Sequence, residues 1–501
     1  MSLTLAPTTP FECLPVAPEH LPELARQRFK QPDWRFGHLI ARAQQDHILI
    51  ETLLLQPAQG RGVILSAELL AGVREYPAIT PHVPAAHWAE RAVGDMFGVR
   101  AVGHPRWKSI LLHHDAWPLD LTPLLPDAGT SREPYTFFKV KGEGIHEIPV
   151  GPIHAGIIEP GHFRFSCLGE VITNLEIRLG YQHRGVERRL CEIPWQQAHF
   201  LAESASSDTA AGNALAHARA IEQLLDITPP PRAVALRTIA LELERLSNHI
   251  GDIGALSGDI GYSVGASLFP PLRGAVLALC QLLTGTRRQR WFIVPGGVAR
   301  DLDDGRRTAM VQGLAELTQR LRKHIPLVIE HPGVIERMEG TGRLSPGLAR
   351  DFGIVGPAGR ASGSRYDVRA TFDRDALPFT PAHREAGDVL SRAQIRVEEI
   401  FAAIGIIDAQ LAQLPDSPIA VDLAGAVLPA ERAGIGLVEA WRGELLHWIT
   451  TDETGAIARY AIKDPSFNNW TGLAIAIRGN LVADFPLCNK SFNLSYSGND
   501  L

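Results

Sequence analysis

The 501-residue chain is long enough for two or three domains with substantial cores, and its 45% apolar and 21% charged content is that of an ordinary globular protein. A formal net charge of −6 leaves no basic footprint, so nucleic acid is not expected as a partner. No run of about twenty apolar residues is evident, so no transmembrane helix is expected, and Met1-Ser2-Leu3-Thr4-Leu5-Ala6-Pro7 lacks the basic and apolar regions of a secretion signal.

In chain order, residues 1–117 mix a helical run, Glu19 to Arg28, with strand-like runs at His47 to Leu55 and Gly62 to Leu65, which is an α+β pattern. Pro118, Pro123, Pro126, Gly129, Pro134 and Gly144 then mark residues 118–147 as a connector. From Ile148 a short strand-rich opening leads into long helical periodicities up to about Leu411, and a mixed tail ends at Leu501. The fold class expected is therefore α+β, a small α+β domain followed by a mainly helical domain over 148–501. Cys13, Cys167, Cys191, Cys280 and Cys488 lie far apart without a C-x-x-C pair. That spacing argues against disulfides, zinc or an iron–sulfur cluster in this chain, and all five are expected as buried small hydrophobes.

The first motif is Glu90-Arg91-Ala92-Val93-Gly94-Asp95-Met96-Phe97-Gly98-Val99, followed by Gly103-His104-Pro105-Arg106-Trp107. It predicts a short amphipathic helix closed by Gly98, then a turn and a strand, with no nucleophile–base pair. It resembles the signature of the 30-kDa-type subunit of complex I and the matching domain of formate-hydrogenlyase-type hydrogenases. The resemblance implies a scaffolding domain. Its usual closing sequence is degenerate here, at Leu119-Asp120-Leu121-Thr122-Pro123.

The second motif runs Gly151-Pro152-Ile153-His154, Glu159-Pro160-Gly161-His162-Phe163-Arg164-Phe165 and Gly180-Tyr181-Gln182-His183-Arg184-Gly185-Val186-Glu187-Arg188. Its flanking turns suggest a strand pair. By themselves Arg184 and Glu187 read as a capping or salt-bridge pair at a helix start. Together these residues resemble the opening of the hydrogenase large subunit and its 49-kDa-type complex I counterpart. There the glutamate of Arg-Gly-x-Glu lies beside the active cavity and relays protons, a role the resemblance carries to Glu187.

The frame that supplies two thiolates to nickel in hydrogenases reads Ser204-Ala205-Ser206-Ser207-Asp208-Thr209 here, with Ser206 and Thr209 at the ligand positions. The second pair of ligand positions falls on Ser495 and Gly498, with Cys488 well upstream. Neutral hydroxyls are poor ligands for soft nickel, so no metal is expected. The complex I quinone partners are absent as well, because Ile158 and Ser207 stand where that family has histidine and tyrosine. The resemblance extends through the Pro-Gly-Gly-Val turn at 295–298, Gly356-Pro357-Ala358-Gly359-Arg360, Arg396-Val397-Glu398-Glu399 and Glu439-Ala440-Trp441-Arg442-Gly443-Glu444.

One helix before these motifs carries two stripes. Ile239, Leu243, Leu246, Ile250 and Ile253 form an apolar one. Glu242, Arg245, His249, Asp252 and Asp259 form a polar one, which is either a solvated face or, as the family placement implies, an internal proton path. Glu187, Arg245, His249 and Asp259 are the relay candidates, and His154, Ser206, Ser207, Asp208 and Thr209 the cavity-lining candidates.

What the resemblance implies is the large subunit of a membrane-associated, complex I-like or hydrogenase-related oxidoreductase without a nickel–iron centre. Electrons from NADH or a related donor would arrive through an iron–sulfur partner subunit and pass to a quinone or another acceptor, coupled to ion translocation by antiporter-like membrane subunits. The chain would bind no cofactor itself and sit peripherally on the cytoplasmic face of the cell membrane. The alternative is a redox-inert structural coupling subunit of such a complex.

Overall fold

Apolar runs in the N-terminal half form a sheet whose strands are hydrophobic on both faces, because both faces are covered. The computed structural model describes every residue except 1–3, 8, 119, 126–133, 157 and 374–377. Its first elements are β1 (Thr4–Leu5), β2 (Phe11–Val16), α1 (Leu21–Phe29), β3 (Arg35–Gln44), β4 (His47–Gln56), β5 (Arg61–Leu69) and α2 (His87–Phe97). The sheet order is β2-β5-β4-β3, with β2 parallel to β5 and the other pairs antiparallel. On β4, Ile48, Ile50 and Leu54 share a core with Leu21, Ala25 and Phe97 of the two helices. Leu53 and Leu55 instead join Ile435, Leu437 and Trp448 from the far end of the chain. Such a doubly covered strand reads as one continuous apolar run.

Helix α2 ends at Gly98, whose φ of +67° is the left-handed conformation that glycine adopts without a Cβ penalty. The polar residues of its motif clip backbone together. Glu90 accepts from the amides of Ile79 (2.8 Å) and Thr80 (3.1 Å), and Asp95 from those of Ile110, Leu111 and Leu112. Arg91 donates to the Lys108 carbonyl at 2.6 Å. Buried carboxylates engaged with amides in this way hold loops in place and leave no group free for chemistry.

The expected connector residues Leu119, Pro126 and Gly129 lie outside the described residues. Past them, Lys108, Tyr135 and the Phe138 amide all converge on buried Glu176. An antiparallel sheet follows, β6 (Ile145–Val150), β7 (His162–Leu168) and β8 (Val171–Arg178), ordered β8-β7-β6. The helical region contains α3 (Val186–Glu192), α4 (Ala210–Leu225), α5 (Pro231–Asp259), α6 (Ser263–Thr284), α7 (Asp304–His324) and α8 (Val389–Ala412). The apolar stripe of α5, Ile239 to Ile253, is fully buried in one core with Phe269, Leu272 and Val276 of α6 and Ile400 and Ile407 of α8. At about 1.5–3 kcal/mol per buried Leu or Ile, this stripe dominates the placement of the helix.

The tail forms β9 (Arg432–Ala440), β10 (Gly443–Thr451) and β11 (Ile457–Lys463), then α9 (Ser466–Ala476) and α10 (Tyr496–Asp500). Strand β1 pairs parallel with β9 in the order β1-β9-β10-β11, so the start of the chain is stitched onto its end.

Helix α6 is long and apolar enough, by length and composition, to cross a membrane, although Pro270, Pro271 and Arg273 interrupt its sequence. One face, including Phe269, Leu272, Val276, Cys280 and Leu283, is buried in the protein core. The expectation that all five cysteines are buried needs correction: Cys167, Cys280 and Cys488 are buried, while Cys13 and Cys191 are half-buried.

Candidate functional site

The four positions that the resemblance assigns to metal thiolates converge from two ends of the large domain. Ser206 and Thr209 lie in the turn before α4, and Ser495 caps α10 by accepting the Gly498 amide at 2.9 Å. Ser206 Oγ and Ser495 Oγ are 3.1 Å apart. At the centre the Arg442 guanidinium grips both oxygens of Asp208, each at 2.7 Å. The Ser206 and Thr209 hydroxyls donate to the same carboxylate at 2.9 and 3.2 Å. Trp441 Nε1 donates to the Asp208 carbonyl at 2.9 Å, and its ring lies under the Arg442 guanidinium. Ser207 points outward and is exposed.

This donor set does not fit a nickel–iron centre. Its hydroxyls are hard and neutral, and they are already committed to Asp208 and to each other. Gly498 offers no ligand, and a Cβ placed there would lie 2.5 Å from Asp464 Oδ2 and 2.9 Å from Ser495 Oγ. Among the described residues, no group of three or more His, Cys, Asp or Glu side chains is arranged to hold a metal ion.

Burial alone would raise the Asp208 carboxyl. The Arg442 guanidinium and the two hydroxyls override it and hold the group well below the usual carboxylate range. A depressed carboxyl contributes stability that is present above its unfolded pKa, near 4, and lost as pH falls through the folded value. An Arg442→Gln variant should therefore lose stability at neutral pH and show a flatter acid limb. Urea unfolding at a series of pH values reads this directly, and an unchanged acid limb would remove Arg442 as the cause.

His154 and Glu159 meet the residues that follow Ser495. His154 Nε2 approaches the Tyr496 hydroxyl at 3.4 Å, and Glu159 accepts the Ser497 amide at 3.2 Å. Arg184 does not pair with Glu187 as a salt bridge. It donates to the carbonyls of Ser204, Ala205 and Ser497, tying the two ligand frames together. Glu187 pairs with Arg459 at 2.9 Å and accepts the Ile462 amide at 2.8 Å. It lines a cavity of about 50 Å³ between the two halves of the protein, with His38, Asp464 and Gly498.

The polar stripe of α5 is no solvated face over most of its length. Glu242, Arg245, His249 and Asp252 are all buried. Arg245 donates to Glu242 (3.0 Å) and to the carbonyls of Glu439 (2.7 Å) and Ala440 (3.1 Å). His249 Nε2 meets Glu399 at 2.8 Å, and its ring stands edge-on to Trp441. Burial lowers the His249 pKa. Asp252 pairs with Arg396 at 2.8 Å. Asp259 is exposed, ten residues or about 15 Å beyond His249 at the end of the helix. Arg245 and His249 thus meet at Glu399, while Glu187, whose cavity reaches Gly498, and Asp259 stand apart from that pair.

Candidate residues that the sequence reading did not single out are Arg442, Glu244, Arg360, Glu399 and Glu439. A charge inside an apolar strand run, as at Glu439 within Ile435 to Trp441, was the available signal. Glu244 accepts the amides of Ala211 and Gly212 at the start of α4, and burial pushes its carboxyl up to about 8.

Comparison with known proteins accounts for both halves. Residues 14–133 match the respiratory-chain NADH dehydrogenase 30 Kd subunit family, and residues 259–435 and 425–500 the 49 Kd subunit family. The chain is 33% identical to formate hydrogenlyase subunit 5 of Escherichia coli, over 96% of this chain and 87% of that one. It is 30% identical to hydrogenase-4 component G of the same organism, over 96% and 86%. In fold it is similar to a chain of the membrane-bound sulfane sulfur reductase, an archaeal respiratory membrane complex, with a TM-score of 0.67 and 24% identity over 72% of this chain and 99% of that one. The chain thus belongs to the family of fused 30-kDa/49-kDa complex I-type subunits that includes the large subunits of membrane-bound hydrogenases.

Proposed function

We propose that this chain is the large subunit of a membrane-associated, hydrogenase-related respiratory complex that couples electron transfer to ion translocation without a nickel–iron centre. Relatives named as formate hydrogenlyase, hydrogenase-4 and membrane-bound hydrogenase subunits support the assembly. The observation that carries the metal-free part is the Asp208–Arg442 pair standing among Ser206, Thr209, Ser495 and Gly498. Its partners are other subunits of the complex. In this reading they include an iron–sulfur subunit and antiporter-like membrane subunits, and the chain sits peripherally on the cytoplasmic face. Electrons from NADH or a related donor would pass to a quinone or another acceptor.

A second reading, in which the chain is redox-inert and only couples, is favoured by one feature. The charged knot is already internally satisfied, so an acceptor would have to break the Asp208–Arg442 pair to enter.

The test is to tag the chain in its native host and purify it from membranes. The expected result is a multisubunit assembly containing iron and substoichiometric nickel. One nickel per chain would overturn the metal-free part, and recovery of the chain alone, away from membranes, would overturn the assembly. If the assembly reduces a quinone analogue, and Asp208→Ala but not Ser207→Ala abolishes that activity, the redox reading stands over the inert one.

A further inference from the structure

With His249 neutral, as its lowered pKa favours, the buried charges behind the site do not balance. Around the short helix Gly356–Ala361, Arg360 donates to Glu399 at 2.9 Å and to Glu439 at 2.7 Å, and lies 3.3 Å from Asp367. Arg369 is paired with Asp367 on one side and with Glu242 on the other, and Arg245 closes the ring on Glu242. Carboxylates Glu242, Asp367, Glu399 and Glu439 thus face guanidiniums Arg245, Arg360 and Arg369, and all seven are buried. The neighbouring Asp252–Arg396 pair is balanced and adds nothing. Across the β9–β10 pairing, Glu444 has its own counter-charge in Lys463 at 2.7 Å, with Arg35 at 3.7 Å, and accepts from Tyr366.

An uncompensated charge in such a place is costly, so the cluster is stable when one of its acids is neutral. We propose that Glu439 holds one exchangeable proton inside this cluster, making it a proton-loading site of the chain. Glu439 is the acid with the weakest ionic support. Arg360 reaches one of its oxygens, while the other accepts only the Val368 amide, at 3.0 Å. Glu242 and Asp367 each have two guanidiniums, and Glu399 has Arg360 with Arg245 at 3.8 Å, beside a His249 whose pKa burial lowers and which adds no charge when neutral. Burial, and then repulsion by Asp367, push the Glu439 carboxyl up to about 7, whereas Glu242, Asp367 and Glu399 are held low.

The position suits exchange with both solvent and site. A cavity of about 90 Å³ lies against Glu242 and Arg369, with room for water on the far side of the cluster. On the near side Arg245 holds the carbonyls of Glu439 and Ala440, directly behind Trp441 and Arg442. A change of charge at the Asp208–Arg442 knot therefore acts on the cluster through one strand turn. The proton is taken from and returned to solvent water, and no electron moves in that step. This inference rests on the reading of the chain as part of an ion-translocating complex only for its purpose.

The experiment is infrared difference spectroscopy of the purified complex across a pH series, in H2O and D2O. Wild type should lose a protonated-carboxyl C=O band with a midpoint near 7. Glu439→Gln should lack that component while keeping its circular dichroism, since the swap is nearly isosteric. Glu244→Gln should retain the near-7 component, which separates it from a second buried acid that is pushed up. Asp367→Asn should move the midpoint to lower pH by removing the neighbouring negative charge. A near-7 band that survives in Glu439→Gln, or a wild type in which no buried carboxyl titrates in that range, would overturn the proposal. Loss of the band in Glu439→Gln with ion translocation untouched would support the site and count against the coupling role, so the two readings fail separately.

Discussion

Replacing Arg360 by methionine is expected to lower stability by about 3–5 kcal/mol, the usual loss when one partner of a buried ion cluster is removed. Arg360 is about 1% exposed, and it is the cation that joins Glu399 to Glu439. Without it, burial and mutual repulsion act on both acids against only the weaker pull of Arg245, Arg369 and His249, and both carboxyls move up. A carboxyl raised above its unfolded value contributes stability at low pH that is lost as pH rises through the folded value. The deficit of Arg360→Met should therefore grow from pH 5 to pH 8, as read by urea unfolding. Adding Glu439→Gln should recover part of the loss at the upper end of that range, because one of the stranded charges is then gone. A variant as stable as its parent at pH 8 would show that solvent reaches the cluster.

Rebuilding the metal ligands is expected to fail, and Gly498→Cys is the step that fails first. Its Cβ would meet Asp464 Oδ2 at 2.5 Å, and Asp464 is held in place by the Ser466 amide on its other oxygen at 2.8 Å. Overpacking of this kind costs about 1–3 kcal/mol. The quadruple variant with cysteine at 206, 209, 495 and 498 should accordingly be less stable and take up no nickel, because the Arg442 guanidinium still occupies the space between the two frames. Pairing Gly498→Cys with Asp464→Ser should restore stability by removing the clashing oxygen, without restoring nickel. Stoichiometric nickel in the quadruple variant would mean that Arg442 and Asp464 move aside readily.

Much of the architecture was legible because it rests on local patterns. Gly98 closing α2, the strand run at 47–55 and the apolar stripe of α5 all follow from spacing, and each stands within a residue or two of its expected place. The replacement of thiolates by Ser206, Thr209, Ser495 and Gly498 was equally visible, since it is a matter of residue identity in a recognised frame.

The partners of the charged side chains were a different matter. Periodicity placed Glu242, Arg245, His249 and Asp259 on one stripe of α5, yet their fates diverge. The first three meet residues more than a hundred positions away, such as Arg369, Glu399 and Ala440, while Asp259 projects into solvent. Arg184 and Glu187 sit three residues apart and choose different partners, carbonyl groups for one and Arg459 for the other. Sequence alone determined which elements form, which faces are apolar and which residues stand in the frames that the resemblance assigns to metal ligands, because those depend on residue type and local period. Only the tertiary structure decided which charges are buried, which guanidinium pairs with Asp208 among Ser206, Thr209 and Ser495, and that four carboxylates share three arginines. Those depend on where distant segments meet, and in a low-dielectric interior the nearest opposite charge, more than the residue's own type, sets its protonation.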